Sequence, residues 1–264
     1  MTRSISSTMA PVLERLELDR PAVVTSAGLA SLLAEFGITT PVRVVAARLR
    51  TSGWLLATGQ RGVWEYAPAD RAGAFSAHDP VLPFQAFLAV DGGQGCALTF
   101  QAAAWARGLA DRVPARLEVA VPNGRTSRRL PGSLEPSVFR PALTPGRLRG
   151  VPVLQPDSVL VHMAAKPTDV RSWTSAEEWL TALAGEIGDG LVDELDGRAP
   201  TVSARAGYLL SGLRPDMAER IRQRFGVVGR AWFGPRGPAK RHNTLWKVTD
   251  TLLPFDPASL ESVS

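Results

Sequence analysis

The chain is poor in the residues that mark common chemistry: among 264 residues there are one cysteine and three histidines, and no apolar run is long enough to span a bilayer. A single thiol, Cys96, excludes an intrachain disulfide framework and a cysteine-based zinc site. Set beside Ala97, Leu98 and Phe100, it reads as a small buried apolar residue. The histidines, His78, His162 and His242, lie far apart in sequence, and there is no GxSxG, HExxH or Walker-type loop. No catalytic centre, no cofactor and no metal are therefore expected. The amino terminus carries one arginine and no apolar stretch of signal-sequence length, so no membrane association is expected and the expected compartment is cytoplasmic.

What remains is a globular composition, 45% hydrophobic with mean hydropathy near zero, and a length that suits one large domain or two smaller ones. Net charge is +5 and the pI about 10.1, a modest excess that favours polyanion contact without proving it. Its distribution says more. From Arg107 to Arg149 nine arginines face only Asp111, Glu118 and Glu135, whereas Gly150 to Pro200 holds nine acids against Lys166, Arg171 and Arg198. Two patches of opposite sign are implied, each of which also reads as ordinary solvated surface.

The most ordered pattern lies between Val23 and Tyr66. Thr25 can cap a helix whose Leu29, Leu32, Leu33 and Phe36 recur at helical spacing until Gly37 ends it. After Ile38-Thr39-Thr40, Pro41 suits the first turn of a second helix, with Val42, Val45, Ala46 and Leu49 on its core face. Thr40, Arg43, Ala47 and Arg50 fall on the opposite face, Arg48 on a flank, and Thr51-Ser52-Gly53 close the helix. Trp54 to Thr58 and Val63 to Tyr66 then read as strands around Gly59-Gln60-Arg61-Gly62. Helix, turn, helix and Gly-tipped hairpin is the order of parts in a winged helix-turn-helix. Small residues beside arginines suit a helix entering the major groove, where arginine bonds guanine O6 and N7 or phosphate. The expected DNA-binding residues are Thr39, Thr40, Arg43, Ala47, Arg48, Arg50, Gln60 and Arg61. The bland reading is a small helical unit whose arginines are merely solvated.

Met9, Val12, Leu13 and Leu16 add a preceding helix, giving a winged domain over 1–67, a linker over 68–73 and a larger domain over 74–264. In the latter, helices are expected over Asp79 to Val90, Thr99 to Leu109, Val159 to Ala165, Ser175 to Glu186, Ala199 to Leu213 and Pro215 to Phe225. Thr99 and either Thr174 or Ser175 serve as the expected caps. Strands are expected over Leu117 to Val121 and Val151 to Leu154, and between Val228 and Phe255. The fold class is thus α/β (α+β): an N-terminal winged helix-turn-helix followed by a mixed α/β domain.

Weaker signals carry two readings each. His162, in an apolar stretch, reads as a partly buried, hydrogen-bonded helix residue rather than a base, and His242 beside Lys240-Arg241 as solvated. Asp189, Asp193 and Asp196 imitate a cation site, but Gly188, Gly190 and Gly197 favour an acidic loop. Pro122-Asn123-Gly124-Arg125 before Arg128-Arg129 resembles a hairpin turn with a basic return strand that could touch DNA backbone.

Several segments together resemble the AbiEi family of bacterial antitoxins: Gly62 to Tyr66, Ala97 to Ala104, Leu117 to Val121, Val151 to Lys166, Ser203 to Leu210 and Asn243 to Val248. That resemblance implies an N-terminal winged helix that binds inverted repeats in the promoter of its own operon. It also implies a C-terminal domain needed to neutralise a nucleotidyltransferase-like toxin encoded alongside, with no catalysis by the antitoxin itself. DNA contact would fall to Thr40, Arg43, Ala47, Arg50 and Arg61; no residue is assigned to the toxin. The alternatives are a stand-alone winged-helix regulator, a nucleotide- or RNA-processing enzyme with a winged docking module, and a scaffold whose winged unit binds protein.

Overall fold

A computed structural model of the chain describes residues 7–71, 76, 78–91, 93–127 and 130–261. They form two compact units, Met1–Gln94 with Leu130–Leu134, and Gly95–Arg129 with Glu135–Ser264.

In the first unit a 3-10 turn, Ser7–Met9, leads into α1 (Ala10–Asp19), followed by β1 (Val23–Thr25), α2 (Ser26–Glu35), α3 (Val42–Thr51), β2 (Leu55–Ala57), β3 (Val63–Tyr66) and α4 (Leu82–Asp91). Thr25 caps α2, its hydroxyl accepting from the Gly28 N–H at 2.9 Å. Gly37, at φ 65°, ends the helix: its N–H bonds Ala34 O at 3.1 Å and that of Ile38 bonds Leu33 O at 2.8 Å, a Schellman motif. The same device recurs after α3, where Gly53 sits at φ 75° and Trp54 N–H reaches Leu49 O at 2.8 Å. Pro41 occupies the N-cap of α3, one position before the first helical residue.

Val12, Leu13 and Leu16 of α1, Leu29 and Leu33 of α2, and Val45, Ala46 and Leu49 of α3 are all buried with Trp54, Leu55 and Tyr66. Each large aliphatic side chain so buried contributes about 1.5–3 kcal/mol, enough for the eight among them to hold three short helices together. Val42 is half-buried at the edge of this core. One element departs from the sequence pattern: Val23–Thr25 is a strand that pairs antiparallel with β3, giving a sheet ordered β1-β3-β2. Three residues leading into a cap carry too short a pattern for a period of two. Helix α4 packs on β1 and β3.

The second unit is built on a five-stranded mixed sheet, ordered β6-β5-β4-β8-β7, from β4 (Ala97–Leu98), β5 (Leu117–Val121), β6 (Leu134–Val138), β7 (Gly146–Leu148) and β8 (Val151–Val153). Between and after these strands run α5 (Phe100–Arg107), α6 (Gly124–Ser127), α7 (Pro156–Ala165), α8 (Trp173–Gly185), α9 (Gly190–Leu195), α10 (Pro200–Leu209) and α11 (Pro215–Phe225). A small sheet ordered β10-β11-β9 follows, from β9 (Ala231–Phe233), β10 (Arg241–Asn243) and β11 (Val248–Asp250). The fold is mixed α/β. Helix α7 is buried from Pro156 to Ala164 and packed by α5, α9 and α10, so Asp157, Ser158 and His162 are enclosed together with its apolar residues. Gly207 on α10 leaves room for the buried Trp246 ring, which a Cβ there would meet at 2.1 Å.

Four local expectations are corrected. Ser172, not Thr174 or Ser175, caps α8, accepting from the Ser175 N–H at 3.1 Å, so the helix starts earlier. Gly124–Ser127 is a single helical turn rather than a hairpin, because Asn123 Oδ1 accepts from the Thr126 N–H at 2.9 Å. Arg128 and Arg129 lie outside the described residues. Gly190–Leu195 is a short helix where an acidic loop was expected: Leu191 and Leu195 are buried, and that burial overrides the flanking glycines. Thr99 makes no capping hydrogen bond to α5, for a reason given below.

Candidate nucleic-acid interface

Helix α3 and the β2–β3 hairpin bring most of the expected DNA-binding residues to one side of the first unit. Arg43, Ala47, Arg48 and Arg50 are exposed on α3, Arg61 is exposed at the hairpin turn, and Gln60 beside it is half-buried. Thr39 and Thr40 precede α3, the first exposed and the second half-buried, and neither lines the hollows around the helix. A cleft of about 450 Å³ between α3 and the hairpin is lined by Arg43, Ala47, Arg50 and Arg61, with Trp64 and Ser26. The last two were not foreseen. Trp64 alternates with the buried Val63 and Glu65, so strand periodicity could have placed it on this open face.

The hairpin is held in shape by local bonds. Thr58 Oγ1 donates to Val63 O at 2.9 Å and accepts from the Gln60 N–H at 3.2 Å. Gly59 and Gly62 supply the left-handed backbone at φ 82° and 74°. Ser26 fixes the base of the hairpin through its N–H, 2.8 Å from Gly62 O.

Charge pairing separates the arginines of this unit into two kinds. Arg15 pairs with Asp19 at 2.8 Å, Arg20 with Asp70 at 3.0 Å, and Arg71 with Glu65 at 2.8 Å. Among the described residues no carboxylate pairs with Arg43, Arg48, Arg50 or Arg61. Four unneutralised guanidinium groups on one helix and its hairpin form a surface whose field favours polyphosphate.

The second unit carries a different kind of polar centre, buried rather than exposed. His162 on α7 is fully buried between the rings of Phe100 and Phe139, with centroids 4.3 and 4.2 Å away. Ser137 donates to Asp169 Oδ2 at 2.6 Å, which leaves its oxygen to accept from His162 Nε2–H at 2.8 Å. Nδ1 then accepts from the Thr99 hydroxyl at 2.8 Å. Burial, with Arg198 and Lys166 adding to it, holds the imidazole well below its usual range, so it stays neutral. This bond takes the Thr99 hydroxyl away from α5, and Glu118 caps that helix instead, accepting from the Ala102 N–H at 2.9 Å. Burial pushes the Glu118 carboxyl up to about 7, against the opposing effect of its backbone N–H partners. His162 is thus wholly rather than partly buried, and both ring nitrogens serve the fold.

Other residues in the charged runs are also structural. Arg107 turns inward, its Nε and Nη2 donating to Leu154 O at 3.1 and 2.9 Å. Asp189 pairs with Arg220 and Asp196 with Arg224, and no group of three potential metal ligands occurs among the described residues. His242 is exposed on β10, with Nδ1 3.3 Å from Thr249 Oγ1.

Residues 95–212 match the family model of the AbiEi antitoxin C-terminal domain. That segment is similar to the AbiEi antitoxins. The matched segment runs from the start of the mixed sheet through α10 and encloses the whole Thr99–His162–Ser137–Asp169 chain. No curated protein matches the chain. Among solved structures it is similar to the crystal structure of the RV2827C protein from Mycobacterium tuberculosis, at 26% identity and a TM-score of 0.74. The likeness covers 96% of this chain and 94% of that one, so it extends beyond the matched segment to the part that carries α3 and the hairpin. No helix among the described residues is long and apolar enough to cross a membrane.

Proposed function

We propose that this protein is the antitoxin of a two-gene toxin–antitoxin pair and represses its own operon by binding operator DNA, without catalysis, in the cytoplasm. In this reading residues 1–67 are a winged helix-turn-helix domain, 68–73 a linker and 74–264 the antitoxin-type domain. Its partners are an operator built of inverted repeats and a nucleotidyltransferase-like toxin. The AbiEi match over 95–212 supports the antitoxin role.

The observation that carries DNA binding is the set of unpaired arginines, Arg43, Arg48, Arg50 and Arg61, on a helix and hairpin in the order a winged helix requires. Small Ala47 between them lets the helix approach base edges closely, and Thr39, Thr40 and Gln60 complete the proposed contact set. The test is binding of the full chain to the region upstream of its own gene and to random duplex at two salt concentrations. A preference for the former that survives higher salt is expected; equal affinity for both at each salt removes the repressor role. Coexpression with the neighbouring gene tests the other half: restored growth is expected, and unrelieved toxicity removes the antitoxin role.

A further inference from the structure

We infer that Arg50 and Arg61 clamp a single backbone phosphate across the cleft between α3 and the β2–β3 hairpin, leaving Arg43 and Ala47 to meet base edges. This deepens the proposed DNA binding and rests on it. Three hollows surround α3, and their linings sort its exposed residues. Arg43 and Ala47 line both the cleft of about 450 Å³ on the hairpin side and a hollow of about 590 Å³ on the far side, so they form the ridge between them. Arg48 lines only the far hollow. Arg50 lines the cleft and a third hollow, of about 390 Å³, and Arg61 lines both of these as well. A ridge enters a groove, whereas residues on its flank meet the strand at the groove's rim.

The clamp is preformed on the hairpin side. Thr58 bridges the turn, and Ser26 pins Gly62, the residue next to Arg61, to the start of α2. A Cβ at Gly62 would stand 2.9 Å from Ser26 Oγ, which shows how closely the two are seated. Arg50 and Arg61 line the same two hollows, and among the described residues no carboxylate is paired to either. Their mutual repulsion is relieved by an anion between them, and a phosphate offers oxygens to two forks at once. Trp64 lines the same cleft and limits how deep that anion can sit.

The test uses the full chain, its upstream duplex and a random duplex of equal length. Arg50→Gln and Arg61→Gln should each weaken binding while leaving the dependence of log K on log salt nearly unchanged, because the remaining arginine still neutralises the shared phosphate. The double variant should flatten that dependence by about 0.9, the increment for one phosphate contact, and not by about 1.8. The ratio of operator to random affinity should stay unchanged in all three. A methylphosphonate scan should find one position that weakens the parent chain but not the double variant. A ratio collapsing in Arg50→Gln would make that residue a base reader, and additive slopes would place the two arginines on separate phosphates; either result overturns the clamp while leaving DNA binding intact. If the parent chain binds no duplex at low salt, both the clamp and the DNA reading fall.

Discussion

The carboxylate of Glu118 on β5 accepts the N–H of Ala102 in the first turn of α5, at 2.9 Å, from a position only 3% exposed. A buried acid at a helix N-terminus has two opposed influences on it. The helix end favours its anion, whereas loss of water disfavours it. Burial prevails here, and the group titrates at about 7.

Stability therefore depends on pH through this residue. Its folded pKa lies above the usual glutamate value of 4.5, so its contribution is complete below that value and is lost as pH rises through about 7. A shift of that size corresponds to about 3 kcal/mol at most. His162 acts in the other direction, since its depressed pKa lets only the unfolded chain take up a proton as pH falls below 6.5. The stability advantage of the parent over Glu118→Gln should thus shrink between pH 4 and pH 8 by up to about 3 kcal/mol. Urea midpoints at both pH values measure it, and parallel pH profiles for the two chains would count against the assignment.

Glu194, fully buried on α9, gathers four donors: the N–H groups of Ala142 and Leu143, the Ser158 hydroxyl and the Arg198 guanidinium. Glu194→Ala leaves these donors and a mostly buried cation without their acceptor, at a cost of about 3–5 kcal/mol. Thermal unfolding should show a correspondingly lower midpoint, and a loss below 1 kcal/mol would mean that water replaces the carboxylate.

Gly207→Ala should also destabilise, although alanine favours a helix over glycine by about 1 kcal/mol. The added methyl would lie 2.1 Å from the Trp246 ring, and overpacking of this kind costs about 1–3 kcal/mol. Denaturant midpoints decide between the two effects; a rise would show that the indole moves aside.

On the proposed interface, Arg43→Ala should weaken operator binding by about 1–3 kcal/mol and reduce discrimination against random duplex. Unchanged affinity would make Arg43 a solvated residue.

The N-terminal unit was largely legible because each of its signals is local. Thr25 caps within three residues, Gly37 and Gly53 end helices through their own backbone, and the spacing of Leu29 and Leu33 or Val45 and Leu49 fixes a face. The pairing of Arg15, Arg20 and Arg71 with acids, and the freedom of Arg43, Arg48, Arg50 and Arg61, had no such signal; it depends on which carboxylates the fold brings near. The same holds for the second unit. Thr99 looks like a cap in sequence, but His162, 63 positions later, takes its hydroxyl, and Glu118 replaces it from the next strand. Competition between a local and a distant partner is settled only by tertiary structure.

Trp54 bears on the hairpin in a way its burial alone does not convey. Its N–H closes the end of α3 on Leu49 O, and its carbonyl accepts from the Ala67 N–H at 2.9 Å, just beyond β3. One residue therefore belongs to the helix terminus and to the strand pair together, so the pitch of α3 relative to the hairpin is tied to the backbone rather than to surface side chains. Arginines on the two parts can be exchanged without altering the angle at which they are presented; on the proposed DNA-binding reading, a chain of this design changes the sequence it recognises while keeping the same stance on the duplex.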